Sequence, residues 1–240
     1  MIDKIFSSAS IDQALNMLVA MDDSGFLFAL WETVYVTVIS TFFAIVIGLP
    51  LGVILVAGEE NGIHPLPKAL MKVLDFVINI LRSIPFLILM ILVMPLTRSI
   101  VGTSVGTTAS IVPLVVAAFP FIARLVEGSL REVNPNIIEA AQSMGATPFQ
   151  IITKVMIPES VPSLISNLTI AITTILGYTA MSGIIGGGGL GKIALNYGYY
   201  RYKYLIMLIA VILLVILVQV FQSVGTHFAV KSDKRIKHKH

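Results

Sequence analysis

Side chains able to do chemistry are sparse in this chain and fall in three places. The richest is residues 134–158, NPNIIEAAQSMGATPFQIITKVMIP, a polar stretch between long apolar runs. In it Glu139, Ala140 and Ala141 are followed after three residues by Gly145, and after eleven more by Ile157 and Pro158. Two adjacent alanines let another surface approach a helix closely, Glu139 offers a charge at its middle, and Gly145 can take the left-handed conformation that stops it. Asn134 suits a helix cap and Pro135 its first turn, while Thr147 with Gln150 three residues on, and Pro148 between, forms a capping box. The spacing therefore predicts two short helices joined at a tight turn, where a soluble partner could grip. An ordinary amphipathic connector, with Ile137, Ala141 and Met144 packed back on neighbouring helices, explains the apolar face but not the capping of both helices.

The second place is GGGGLGKI, residues 186–193, which fits most of the phosphate-loop pattern and also contains Gly-x-Gly-x-x-Gly at Gly186, Gly188 and Gly191. Ile193 stands where a metal-binding hydroxyl is required, and no strand-to-helix unit surrounds the run. It reads instead as a flexible turn where backbone approaches a docked partner or a neighbouring helix. The third place is the histidines, His64, His227, His238 and His240, which are scattered or lie in a solvated tail. The glycosylation triplet at Asn167 falls inside an apolar run. No Ser/His/Asp set, His-Glu-x-x-His helix or facing carboxylate pair occurs in the apolar segments, which disfavours a membrane hydrolase.

The elements that must position these residues are membrane helices. Of 240 residues, 56% are apolar and 12% charged, with a mean hydropathy of +0.93, the composition of an all-α polytopic membrane protein. Cysteine is absent, which removes disulfides and thiolate metal sites. Residues 1–30 lack the apolar core of a secretory signal and read as an external amphipathic segment, with Ile2, Ile5, Phe6, Ala9, Leu15 and Leu18 near helical spacing. Residues 31–230 form the membrane domain, with spans expected at Val34–Ala57, Lys68–Thr97 kinked at Pro85, Ser99–Ala123, Ser160–Ile185 and Tyr204–Val230. Gly102, Thr103, Ser104 and Gly106 are expected to turn the chain into the third span, and residues 186–203 to form an external loop. The basic tail, residues 231–240, holds five of the sixteen Lys and Arg residues. With that tail inside, inner segments carry ten of the sixteen, which places the N-terminus outside and residues 134–158 in the cytoplasm, between spans three and four. The same tail is a topology anchor rather than a nucleic-acid contact.

On these residues the chain resembles a known family. Residues 139–158 are similar to the coupling loop of permease subunits of ATP-binding-cassette importers, Glu-Ala-Ala, three residues, Gly, nine residues, Ile-x-Leu-Pro. Glu139, Ala140, Ala141, Gly145 and Pro158 match, and Val155 and Ile157 are conservative departures. WETVYVT (31–37), NILRSIPF (79–86), VGTSVG (101–106), AAFPFIARLVE (117–127), MGATPFQI (144–151), and GYTAMSG followed by GGGGLG (177–191) narrow the resemblance to methionine importer permeases. It implies five spans per subunit in a bacterial inner membrane, a permease homodimer, two cytoplasmic ATPases holding ATP and Mg, and an external substrate-binding protein or lipoprotein. The subunit itself would need no cofactor and would carry D- and L-methionine by alternating access. The path would lie at the dimer axis beside interrupted or polar helix positions: Pro85 and Phe86, Pro120 and Phe121, Tyr178 and Met181, the last as a soft apolar gate. The resemblance covers neither the first 25 residues nor the tail.

A related amino acid or a small peptide is an alternative cargo, because the spans hold no charge pair for a free amino acid. An ion-gradient carrier would need intramembrane acids or histidines, and spans one, three, four and five as bounded above hold only His227, near an end. A scaffold without transport leaves the coupling-loop spacing unexplained.

Overall fold

A computed structural model of the chain describes residues 8–20 and 25–233, and all regular structure among them is helical. The expectations for Ile2, Ile5 and Phe6, and for the tail from Lys234 onward, fall outside the described residues. In order the helices are α1 (Ser8–Val19), α2 (Phe26–Ala57), α3 (Lys68–Ser83), α4 (Phe86–Leu92), α5 (Met94–Val101), α6 (Ile111–Arg131), α7 (Pro135–Ser143), α8 (Pro148–Ile151), α9 (Ile157–Ser182), α10 (Gly189–Ile193) and α11 (Tyr204–Ser232). Among the described residues four helical stretches are long and apolar enough to cross a membrane: α2, α6, Pro148–Ile185 and α11. The bent pair α3 and α4, broken at Ile84–Pro85, makes a fifth if it counts as one span.

Two spans differ from expectation. The first starts at Phe26 rather than Val34 and so includes Glu32; at about 1.5 Å per residue its 32 residues reach roughly 48 Å, well beyond a hydrocarbon core. The third is Ile111–Arg131 rather than Ser99–Ala123, because Gly102, left-handed at φ +84, stops α5 and the chain then turns through 102–110. Its charged end stays helical because Arg124, Glu127 and Arg131 find partners.

The helices divide into two compact units. Unit 1 comprises Met1–Thr41, Phe86–Val115 and Ile172–Phe221. Its apolar core joins Ala14 and Met17 of α1 to Phe26 and Ala29 of α2, Leu190 and Ile193 of α10, and Ile206 and Ala210 of α11. The amphipathic N-terminal helix is therefore docked on one face, with Leu15 and Leu18 exposed on another. The glycine run is not a loose external loop. Residues 189–193 are helical, with Leu190 and Ile193 buried, and a π-helical turn, Ala194–Tyr199, follows.

Glu32 explains that order. Its carboxylate accepts the Gly189 N–H at 2.7 Å and the Thr107 hydroxyl, while Thr33 Oγ1 accepts the Leu190 N–H at 2.9 Å. The first N–H groups of α10, which a helix cannot satisfy internally, are thus met by two consecutive residues of α2. Such close approach requires glycine: Gly189 has φ +84, and a Cβ on Gly188 would collide with the Glu32 carboxylate and the Thr107 hydroxyl. The acid that span counting leaves outside the membrane helix lies inside it, held by backbone.

Unit 2 comprises Phe42–Pro85, Val116–Ala171 and Gln222–His240. Here α2 runs so close to α6 that a Cβ on Gly52 would lie 2.6 Å from the Ala123 carbonyl oxygen. Leu55, Ile78 and Ala123 bring α2, α3 and α6 together in an apolar cluster. Asn167 of α9 donates to Ser129 Oγ at 2.8 Å, a polar tie between α9 and α6.

Removing the Glu32 carboxylate strips charge-assisted bonds from α10. Glu32→Ala is expected to lower stability by about 1–3 kcal/mol and Glu32→Gln, which keeps an acceptor, by less. Denaturation of the detergent-solubilised protein checks this, and equal stability of all three forms would refute the capping role.

Candidate functional site

The insert at 134–158 folds from local hydrogen bonds. Asn134 Oδ1 accepts the Asn136 N–H at 3.0 Å and Pro135 occupies the first turn of α7. At the other end Gly145 donates its N–H to the Gln142 carbonyl at 2.9 Å, and Ala146 donates to the Ala141 carbonyl at 3.1 Å. This pair of bonds, with Gly145 at φ +77, is a Schellman stop. The second cap forms at once: Thr147 N–H donates to Gln150 Oε1 at 2.9 Å, and Gln150 N–H donates to Thr147 Oγ1 at 3.4 Å.

The expected second short helix is not separate. From α8 the backbone passes through a π-helical turn, Ile152–Met156, straight into α9, so the capping box starts a continuous stretch from Pro148 to Ile185. The wide turn lies immediately before Pro158, which has no N–H for the ordinary helical bond. Pro158 sits exposed in the first turn of α9 rather than closing a helix. Within the insert only α7 is a free-standing short helix, and the segment beyond its turn is continuous with a span.

Exposure sorts the side chains. Ala141 is 4% exposed, and Ile151 and Met156 are buried with it inside unit 2. Glu139, Ala140 and Gly145 are not buried, and no ion-pair partner for the Glu139 carboxylate occurs among the described residues. The two alanines therefore differ: Ala141 is small because it is enclosed, whereas Ala140 is open to an approaching surface. Met144 is 81% and Phe149 73% exposed, flanking the turn, and Ile137 is also exposed. Of the three residues that would pack back in a plain connector, only Ala141 does so. Sequence reasoning missed Met144 and Phe149 as an exposed apolar pair. Phe149 follows Pro148 in a first turn whose inward position is Ile151, a periodicity that could have indicated an outward Phe149.

The residues expected along a path are dispersed between the units. In unit 1, Phe86 at the start of α4 stacks on Tyr178 of α9 with ring centroids 4.4 Å apart and planes at 6°. Met181, one turn beyond Tyr178, is 48% exposed. In unit 2, Pro85 is exposed at the break after α3, Pro120 is buried inside α6 and Phe121 is half-buried. An aromatic pair held face to face next to a helix break can serve as a mobile contact, since few bonds need to change for the rings to part.

Over residues 48–231 the sequence matches the family described as "Binding-protein-dependent transport system inner membrane component". It is 46% identical over 217 residues to the "Probable D-methionine transport system permease protein MetI" of Vibrio cholerae, covering 90% of this chain and 96% of that one. Identity to the "D-methionine transport system permease protein MetI" of Escherichia coli K12 is 50% over 153 residues, 64% of this chain and 70% of the relative. In three dimensions the chain is similar to one in a structure of inward-facing conformations of the MetNI methionine ABC transporter, with a TM-score of 0.84 at 41% identity, covering 95% of this chain and 100% of the other. A chain of an amino acid ABC transporter aligns with a TM-score of 0.72 at 18% identity, a likeness of fold alone; the alignment covers 93% of this chain and 97% of that one.

The separation of Ala140 from Ala141 is testable without any partner. Ala141→Leu overpacks an enclosed site and should cost about 1–3 kcal/mol locally, whereas Ala140→Leu should cost almost nothing. Amide exchange at 144–147 in the isolated chain is expected to accelerate in the first variant only. Equal exchange in both would contradict the packing assigned to Ala141.

Proposed function

The chain belongs to the family of binding-protein-dependent transport system inner membrane components, and on that premise we propose how it works as the permease subunit of an ATP-driven methionine importer. The observation that carries the proposal is the insert: a locally capped α7 that exposes Glu139 and Ala140, followed by exposed Met144 and Phe149 on either side of the Gly145 turn, and joined through that turn to a helix that runs on into a span. Such an element suits a lever. ATP and Mg bind on two separate ATPase subunits, whose closure displaces α7, and the displacement passes along Pro148–Ile185 to the membrane helices.

In this reading residues 31–230 are the permease domain, residues 1–30 lie outside, and 134–158 and the basic tail at 231–240 lie in the cytoplasm. A second copy of the chain completes the path, an external binding protein or lipoprotein delivers cargo, and membrane lipid surrounds the spans. Glu139 enters the ATPase groove, Ala140 permits close seating, Met144 and Phe149 fill apolar pockets beside it, and Ala141, Gly145 and Pro158 hold the lever's shape. Phe86, Tyr178 and Met181, with Pro85, Pro120 and Phe121, form the path and its gate. A soft, dry gate fits a conduit whose selectivity is set by the delivering protein. Methionine as cargo rests on the relatives' names, and another small amino acid is the competing cargo.

One observation favours a second mechanism: Glu32 is an acid within a span, the type of residue an ion-coupled carrier uses. Its carboxylate is engaged by Gly189 and Thr107, which supports a structural role.

Uptake of labelled methionine into vesicles holding this chain, its ATPase and its binding protein separates these readings. Uptake should require ATP and survive collapse of ion gradients. Ala140→Trp should reduce it at least about tenfold by weakening partner seating, about 1.4 kcal/mol or more. Gradient-driven uptake without ATP, or full activity of Ala140→Trp, would overturn the proposal.

A further inference from the structure

Unit 2 holds a line of alternating charges that runs from the loop after α2, across α6, to α3. Arg131 Nη1 donates to Glu59 Oε2 at 3.1 Å and its Nη2 to the other oxygen, so the guanidinium forks onto the loop that succeeds α2. The same Nη2 donates to Glu127 at 2.8 Å. Glu127 in turn accepts Arg124 Nη1 at 2.7 Å, and Arg124 Nη2 reaches Asn79 at 3.0 Å and the Asp75 carboxylate, both on α3. Asn79 itself donates to Asp75 at 3.2 Å, fixing the acceptor.

The line is enclosed at its middle and open at its ends, where the Arg131 and Glu59 side chains are each 45% and Asp75 51% exposed. The Glu127 and Arg124 side chains are only 12% and 20% exposed, and the pairs close contacts 49 and 72 residues apart in sequence. Isolated exposed pairs contribute little, but a partly enclosed network with a forked arginine fixes geometry. It lies beside the apolar cluster of Leu55, Ile78 and Ala123, so α3 is tied to α6 by a greasy patch and a charged clamp together. Arg131 stands three residues before Asn134, the cap that starts α7. At the far end of α3 the helix stops at the extended Ile84, before Pro85.

We propose that Arg131 and Arg124 are positioning residues for transport, which clamp the root of the insert to the 58–67 loop and to α3 so that displacement of α7 also moves the break at Ile84–Pro85. The lever then has two outputs: one through Pro148 into α9, the other backwards through α6 and the clamp into α3. The inference rests on the reading of the insert as an ATPase lever. Without the clamp the ATPase still docks and turns over, but only one output moves, and ATP is hydrolysed with fewer transport events.

The test uses the full complex of permease, ATPase and binding protein in vesicles and reads ATP hydrolysed per methionine taken up. Asp75→Ala and Arg124→Gln, which cut the tie between α6 and α3, should each raise that ratio about fivefold, with the ATPase still co-purifying in wild-type amount, and the double variant should raise it no further. Arg124→Lys, which keeps the charge but lacks the fork that spans Glu127 and Asp75, should fall between wild type and Arg124→Gln. An unchanged ratio in either single variant, effects that multiply in the double variant, or loss of the ATPase from the complex would overturn the clamp. Absence of ATP-dependent uptake by the wild-type complex would instead remove the lever reading, and the clamp with it.

Discussion

Backbone interrupted within apolar segments leaves N–H and C=O groups that hydrocarbon cannot satisfy, and the rest of this structure depends on how each interruption is repaired. After α5, Gly102 donates back to Arg98, and Gly106 donates to the Gly186 carbonyl. After the 3₁₀ turn Gly183–Ile185, Gly187 donates to Ser182, and Gly189 and Leu190 are taken up by Glu32 and Thr33. The breaks thus lie where a specific partner waits, and the glycines exist to let that partner close in. An acid in a span, costly if left alone, becomes the cap of a helix.

The insert is built by the same means. Between α6 and α9 the chain leaves the apolar segments with its helix ends satisfied entirely by local side chains and by the Gly145 stop, so α7 keeps its shape without leaning on a large core. Its exposed face is then free to meet another protein, while Ala141, Ile151 and Met156 hold it to unit 2. On one side α7 is followed by the continuous helix beginning at Pro148, and on the other it is preceded by the α6 root with its ion pairs. In the proposed mechanism these are the routes by which a displacement of α7 is passed on.

How much of this is legible in the sequence depends on the range of the interactions. The caps at Asn134 and Thr147 and the stop at Gly145 depend on neighbours two to five residues away, and each forms as its spacing predicts. The helical membrane class comes from composition. Span counting cuts the first span short at Val34 because Glu32 is charged, and only a partner 157 residues distant explains why it remains in the helix. The third span runs on to Arg131 instead of ending at Ala123, for the same kind of reason: Arg124 and Arg131 stay helical through pairs with Asp75 and Glu59. The expected second helix of the insert is not separate, because the π-helical turn before Pro158 carries the chain onward. Phe86 and Tyr178 are each recognisable from sequence, but their stacking is a tertiary contact that no spacing encodes.

The central claim is that α7 moves with the partner's ATP cycle and carries the membrane helices with it. Because the chain has no cysteine, a single Gln142→Cys on the exposed side of α7 can be spin-labelled without background from the chain itself. In the proposed assembly with two copies of the chain, the label-to-label distance should shift between the nucleotide-free and ATP-trapped states. An unchanged distance distribution in a complex that hydrolyses ATP and takes up methionine would contradict the account.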